Sequence, residues 1–131
     1  MLVLFAGLLL TLGISLAVAP AANATAQTCI TTTNGYVCTT VYGGGTHVDN
    51  VRITRGKSPA MVCNYSAWFF YIPPSGGAYG LGYQERAGCV PLRAWFVQSV
   101  NRDFPSGTLV CAKFFEDYNA TLVGQKCVGV S

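Results

Sequence analysis

The sequence predicts an all-β fold, a small disulfide-stapled antiparallel β-sandwich or barrel of about seven or eight strands. Stretches rich in Thr, Val, Tyr and Phe are separated by Gly and Pro clusters roughly every 8 to 15 residues, a pattern typical of strands joined by tight turns. Six cysteines can supply disulfides that support a modest core. Beyond residue 26 the sequence has no long apolar run, heptad or repeat, so we expect one domain.

Residues 1–26 are predicted to be a secretory signal helix that is cleaved. Residues 1–20 are almost wholly apolar, and the small residues that follow offer small-x-small cleavage sites ending at Ala24 and Ala26. We therefore expect a single β-domain over residues 27–131. It is expected to be secreted, with no stable membrane anchor after signal cleavage.

The first half of the domain predicts four strands. Residues 28–33 and 36–42 flank Asn34-Gly35, which strongly favours a hairpin because both residues tolerate positive φ. Residues 48–54 alternate in part, and residues 61–72 predict a long strand with a bulge. The sequence Pro-Pro-Ser-Gly-Gly at 73–77 then predicts a turn.

The second half predicts four more strands. Residues 78–85 alternate Tyr79, Leu81 and Tyr83 against small or polar residues. Residues 91–100 fit both helical spacing and strand alternation, and we assign them as a strand. Residues 109–116 and 121–130 predict a last hairpin around residues 118–120.

The register of that last hairpin predicts a disulfide. When the hairpin is centred on Asn119, Cys111 lies opposite Cys127, and Phe115 lies opposite Val123 on the same face. The Asn-Gly turn places Cys29 and Cys38 only diagonally, which makes their bond plausible rather than forced.

Cys63 and Cys89 then remain for each other. No C-x-x-C occurs and His47 is the only histidine, so we expect neither a metal site nor a cofactor.

Candidate catalytic residues are few. His47 and Asp49 lie on one side of a strand and could form part of a triad or metal site, but a polar loop end explains them better. No G-x-S-x-G elbow supplies a nucleophile. Glu116 and Asp117, adjacent at a hairpin end, are expected to be ordinary solvated charges. We predict a non-enzymatic protein, with a hydrolase that uses a carboxylate pair as the weakest alternative.

Aromatic residues cluster unusually. In a strand, the contiguous run Trp68-Phe69-Phe70-Tyr71 must direct two rings to each face, so either both faces are buried or one ring pair is displayed. Tyr71, Tyr79 and Tyr83 are the best candidates for display, since tyrosine combines apolar area with a polar group. Tyr79 and Tyr83 share a predicted face across the turn from Tyr71, so the three rings are predicted to form one binding surface.

The charged residues do not indicate a specific class of ligand. Arg52, Arg55 and Lys57 form a short basic cluster that could meet acidic glycans, but a solvated rim is the better interpretation. A net charge of +3 is too small to argue for nucleic acid.

We therefore expect a secreted interaction module that binds an extracellular glycan or protein through an aromatic surface. The overall plan is similar to that of small secreted disulfide β-domains, including bacterial hydrolase inhibitors. A hydrolase inhibitor or toxin-like effector, using a rigid loop such as residues 73–77, is accordingly the alternative.

Overall fold

A computed structural model describes residues 24–131, and these residues form six β-strands without a helix. The strands are β1 Ala24–Thr32, β2 Gly35–Gly44, β3 His47–Ile72, β4 Tyr79–Asp103, β5 Leu109–Glu116 and β6 Thr121–Gly129. Every pairing is antiparallel, and the sheet curls into a nearly closed barrel. The predicted disulfide-stapled all-β fold is confirmed. Residues 1–23 of the predicted signal segment lie outside the described residues, and β1 already begins at Ala24.

The strand number is six because two pairs of predicted strands are continuous. Residues 48–54 and 61–72 both belong to β3, and residues 78–85 and 91–100 both belong to β4. Pro59 does not end β3 because it lies in a bulge, where the register shifts between Lys57 and Met61. Pro91 does not end β4 because this strand pairs only with β3, so its other edge needs no donor. Residues 91–100 are strand, as assigned.

The long β3–β4 hairpin organises the sheet. The first half of β3 pairs with β2 and the second half with β5, while β4 follows the other edge of β3 throughout. The sheet therefore has a first half, built on β1 and β2, and a second half, built on β5 and β6. The halves meet again where β6 contacts β1 and β2, and the Thr28 hydroxyl donates to the Cys127 carbonyl over 2.9 Å.

The inner faces of both halves form one core. Its largest fully buried side chains are Phe69, Phe96 and Phe114. The rings of Phe96 and Phe114 lie 6.3 Å apart, so side chains from β4 and β5 meet at the centre. β6 approaches β2 so closely that a Cβ at Gly124 would lie 3.2 Å from the Cβ of Val37. This close approach allows the second half of the sheet to cover the first.

Each disulfide joins residues that lie directly opposite each other in neighbouring strands. The bonds are Cys29–Cys38, Cys63–Cys89 and Cys111–Cys127, as predicted. The first hairpin turns one residue earlier than predicted, because Thr32 pairs with Gly35 and Asn34 carries the positive φ of 60°. This shift places Cys29 directly opposite Cys38 rather than diagonally.

The last hairpin departs from its predicted register at its turn end. A bulge between Phe114 and Phe115 pairs Phe115 with Leu122, so the predicted pairing of Phe115 with Val123 is wrong. The bulge lies beyond the cysteines and therefore does not disturb their alignment.

Candidate functional site

The aromatic run of β3 displays one ring pair and buries the other. Phe69 is buried, and Tyr71 packs against the core. Trp68 is 48% exposed and Phe70 is half-buried, both on the outer side of the second half of the sheet. Of the two arrangements that strand alternation allows, both faces buried or one ring pair displayed, the structure has the second, and the displayed pair is Trp68 and Phe70.

A bulge in β4 separates the three tyrosines that were predicted to form one surface. Tyr79 pairs with Tyr71 and Tyr83 pairs with Trp68, and the register shifts between these two pairs. Trp68 and Tyr71 are three residues apart in β3 and therefore face opposite sides of the sheet. Their partners must do the same, because the bulge adds one residue to β4. The three rings therefore divide into a Tyr71–Tyr79 stack and a Trp68–Tyr83 pair.

Tyr71 and Tyr79 form a stack of their own. Their ring centroids lie 5.3 Å apart, and the Tyr71 ring also lies 5.0 Å from the buried ring of Phe104. The Arg102 guanidinium lies 4.9 Å from the Tyr71 ring centroid. Tyr71 is thus fixed by packing on several sides, which is the environment of a structural side chain.

We use the name aromatic face for the outer surface formed by Trp68, Phe70, Tyr83 and Phe115. The Trp68 and Tyr83 rings are 4.6 Å apart, and Lys113 places its ammonium 5.3 Å from the Phe70 ring centroid. A groove of about 380 Å³ passes Trp68, Phe70 and Phe115, and Tyr79, which is 52% exposed, lines one end of it. Exposed aromatic area of this kind is typical of a binding surface.

A pocket of about 240 Å³ adjoins the aromatic face, and we call it the polar pocket because several hydrogen-bonding side chains line it. Its lining includes Asn64, Ser66, Glu85, Arg86, Tyr118 and Asn119. The Tyr83 hydroxyl joins the two surfaces, since it donates to Glu85 Oε2 over 2.7 Å and accepts from Asn119 Nδ2 over 3.1 Å. The Ser66 hydroxyl donates to Asn119 Oδ1 and completes this network.

The pocket is built by docking the β5–β6 turn onto β3. The Tyr118 amide donates to the Asn64 carbonyl over 2.9 Å, and the Asp117 amide donates to the Cys63 carbonyl over 3.3 Å. Cys63 is bonded to Cys89 of β4, which holds the opposite wall. Tyr118 remains 74% exposed at the rim. The pocket is therefore preorganised by backbone hydrogen bonds and a disulfide.

His47 lies at the far end of the hairpin between two carboxylates. Its Nδ1 is 2.8 Å from Asp103 Oδ1 and its Nε2 is 3.3 Å from Asp49 Oδ1. The hydrogen bond to Asp103 raises the pKa of His47 above its ordinary 6.5. Within residues 24–131, no hydroxyl or thiol hydrogen-bonds to His47, and no group of His, Cys, Asp and Glu is arranged to hold a metal ion. The geometry provides a hydrogen bond between the start of β3 and the end of β4, which becomes an ion pair when His47 is protonated.

The basic cluster is not the solvated rim that its sequence suggests. Arg55 is 3% exposed and donates from Nε to Glu116 Oε1 over 3.1 Å, and Lys57 donates to Glu116 Oε2 over 2.9 Å. Glu116 is 6% exposed, so the prediction of two solvated acids is wrong for Glu116 and right for Asp117. Arg52 instead places its guanidinium 4.8 Å from the Trp95 ring centroid.

The sequence predicts Tyr83 as a displayed ring but does not single out the residues that surround it. Trp68 belongs to the aromatic run, and the sequence does not specify which ring pair of that run is displayed. Glu85, Tyr118 and Asn119 carry no signal in the sequence, since isolated polar residues at turns and strand ends are ordinary.

Residues 24–131 contain no helix with the length and hydropathy needed to cross a membrane. Comparison of the chain with protein-family models, curated proteins and solved structures finds no match.

Proposed function

We propose that this protein is a secreted, non-enzymatic binding domain whose ligand is an extracellular glycan. The observation that carries the proposal is the direct connection, through the Tyr83 hydroxyl, between the exposed Trp68–Tyr83 ring pair and the polar pocket. Three disulfides in a small domain are consistent with an extracellular location.

The chemistry of a sugar supports this choice of ligand. A pyranose ring has an apolar face of C–H groups and a rim of hydroxyls, so it needs an aromatic ring beside several hydrogen-bonding groups. Trp68 and Tyr118 offer exposed aromatic surface, and Glu85 and Asn119 offer a carboxylate and an amide. A flat protein partner would use the aromatic face without needing the adjoining polar pocket.

The two tryptophans of the chain allow a direct test. Trp68 and Trp95 are the only ones, and they lie on different halves of the sheet, so the Trp95→Phe protein reports fluorescence from Trp68 alone. We expect a neutral oligosaccharide from a panel of cello-, xylo- and chito-oligosaccharides to shift this emission. Titration calorimetry, which does not depend on tryptophan emission, should show that Trp68→Ala weakens binding of the same sugar by about 2 kcal/mol, as expected for an aromatic anchor.

Met61→Ala is the matched control, since Met61 is 50% exposed and lines neither the aromatic face nor the polar pocket. It should bind the sugar as the wild type does, while Glu85→Gln should bind about tenfold more weakly because it loses a charged hydrogen-bond acceptor. The proposal is wrong if no member of the panel changes Trp68 emission, or if Trp68→Ala binds as tightly as Met61→Ala.

A further inference from the structure

The outer face of the first half of the sheet carries a second surface, which shares no residue with the aromatic face or the polar pocket. The strand registers align its side chains in rows across β1, β2, β3 and β4. One row is Gln27, Thr40, Arg52 and Val97, the next is Cys29, Cys38, Thr54 and Trp95, and the third is Thr31, Tyr36, Gly56 and Arg93. Side chains opposite one another in a sheet share a face, so Arg52, Trp95 and Arg93 follow one another along this surface. We call it the arginine face.

Arg52 is held on this face by an aromatic ring rather than by an acid. Its guanidinium lies 4.8 Å from the Trp95 ring centroid, and its buried Nε has no hydrogen-bond acceptor among the described residues. Within residues 24–131 no carboxylate lies within ion-pair distance of Arg52. Stacking orients a guanidinium while leaving its terminal N–H groups free to bind an anion.

Arg93 lies two rows of side chains away, at the exposed edge. It is opposite Gly56, and the space above this glycine is filled by the Tyr36 ring from β2. Arg93 also has no carboxylate within ion-pair distance in the described part of the chain. The backbone positions of Arg52 and Arg93 are offset by roughly 13 Å along the strand direction, at about 3.3 Å per residue, and the row that contains Trp95 lies between them.

The acids of the protein lie elsewhere. Of the five in the sequence, Glu116 is paired with Arg55, Asp49 and Asp103 contact His47, Glu85 contacts Tyr83, and Asp117 lies in the β5–β6 turn. None of them belongs to the three rows of the arginine face. A polar groove of about 270 Å³ crosses this face past Gln27, Tyr36, Thr40, Arg52 and Arg93. The surface is thus positive, polar and partly aromatic.

We propose that the arginine face binds an acidic polysaccharide, a sugar polymer that carries sulfate or carboxylate groups. Guanidinium groups bind both anions through paired, charge-assisted hydrogen bonds. Trp95 provides an apolar surface for a sugar ring between the two charges. This site is independent of the proposed glycan pocket, because neither Trp68 nor Glu85 contributes to it.

The test measures binding of the intact, disulfide-bonded protein to heparin and to polygalacturonate by titration calorimetry at several salt concentrations. Dextran serves as the neutral polymer and inorganic polyphosphate as the anion without sugar. We expect heparin or polygalacturonate to bind, with an affinity that falls as salt rises. Arg52→Gln and Arg93→Gln should each weaken binding about tenfold or more, and each should lower the salt dependence by about one ion.

Arg102→Gln is the matched control, because it removes the same charge from the same strand outside the arginine face. It should bind both polymers as the wild type does, and Trp95→Ala should weaken binding of the polysaccharide but not of polyphosphate. Arg93 is exposed, so its variant keeps the test valid even if Arg52→Gln folds poorly.

Three results would overturn the proposal: no binding of either acidic polysaccharide, equal weakening by Arg102→Gln and Arg93→Gln, or equal sensitivity of polyphosphate and polysaccharide to Trp95→Ala. These results would not contradict the proposed glycan site at the aromatic face and the polar pocket, since the Trp68→Ala experiment with neutral sugars tests that site separately.

Discussion

The buried ion pair between Arg55 and Glu116 is predicted to be a main determinant of stability. Arg55 donates to Glu116, to the Gly56 carbonyl over 2.9 Å and to the Thr33 carbonyl over 3.3 Å, so its guanidinium connects the β1–β2 turn to the end of β5. Glu116→Gln keeps the size and one acceptor of the side chain but removes its charge. Arg55 would then be a buried cation without a counterion.

The structure sets the size of the expected effect. Breaking one partner of a buried ion pair costs about 3 to 5 kcal/mol. The glutamine oxygen can still accept a hydrogen bond, and Lys57 is exposed enough to be solvated, so we expect the lower end, about 3 kcal/mol. This is a large fraction of the about 5 to 15 kcal/mol that stabilises a typical domain.

Urea denaturation of the oxidised protein measures this loss. The matched control is Asp117→Asn, the same chemical change at the neighbouring exposed acid, which should alter stability by less than about 0.5 kcal/mol. A double-mutant cycle with Arg55→Met should show strong coupling, because the double variant leaves neither charge alone. If Glu116→Gln loses no more stability than Asp117→Asn, the reasoning about the buried pair is refuted.

Two further predictions concern other parts of the fold. The raised pKa of His47 stabilises the folded state when the imidazole is charged, so this contribution should be complete between about pH 5 and 6.5 and should fade as the pH rises through the elevated folded pKa. His47→Gln should remove that change from the pH profile of the melting temperature, and an unaltered profile would contradict the assignment. Among the disulfides, replacing Cys63 and Cys89 by alanine should cause the largest loss of unfolding free energy, about 3.5 kcal/mol, against about 2.6 kcal/mol for Cys29 and Cys38. The reason is that the Cys63–Cys89 bond closes a loop of 26 residues and the Cys29–Cys38 bond a loop of 9. Equal losses in urea denaturation would show that loop length does not control their contributions.

The cysteine register of the last hairpin could be predicted from the sequence. Its turn and its strand pattern lie within one continuous stretch, so the positions of Cys111 and Cys127 could be counted outward from Asn119. The first hairpin was less favourable, because a one-residue uncertainty in the turn moves every opposing pair.

Bulges account for the errors. A single extra residue in β4 placed Tyr79 and Tyr83 on different faces, and another in the last hairpin moved Phe115 away from Val123. Alternation along a strand assumes an unbroken register, and no residue type in these stretches marks where the register shifts. For the same reason, the sequence did not show that β3 continues past Pro59.

The sequence by itself determined the properties that depend on residues close together in the chain. These are the strand class of each segment, the cysteine partners across hairpins and the division of the Trp68–Tyr71 run between two faces. Burial and long-range pairing were decided by the curling of the sheet into a nearly closed barrel, which brings residues distant in the chain together. In the folded sheet Arg55 is buried against Glu116, Asn119 lies beside Tyr83, and Arg52 lies on Trp95 without an acid. The physical reason is that charge environment and solvent exposure depend on all neighbours in space, and sequence spacing specifies only the nearest of them.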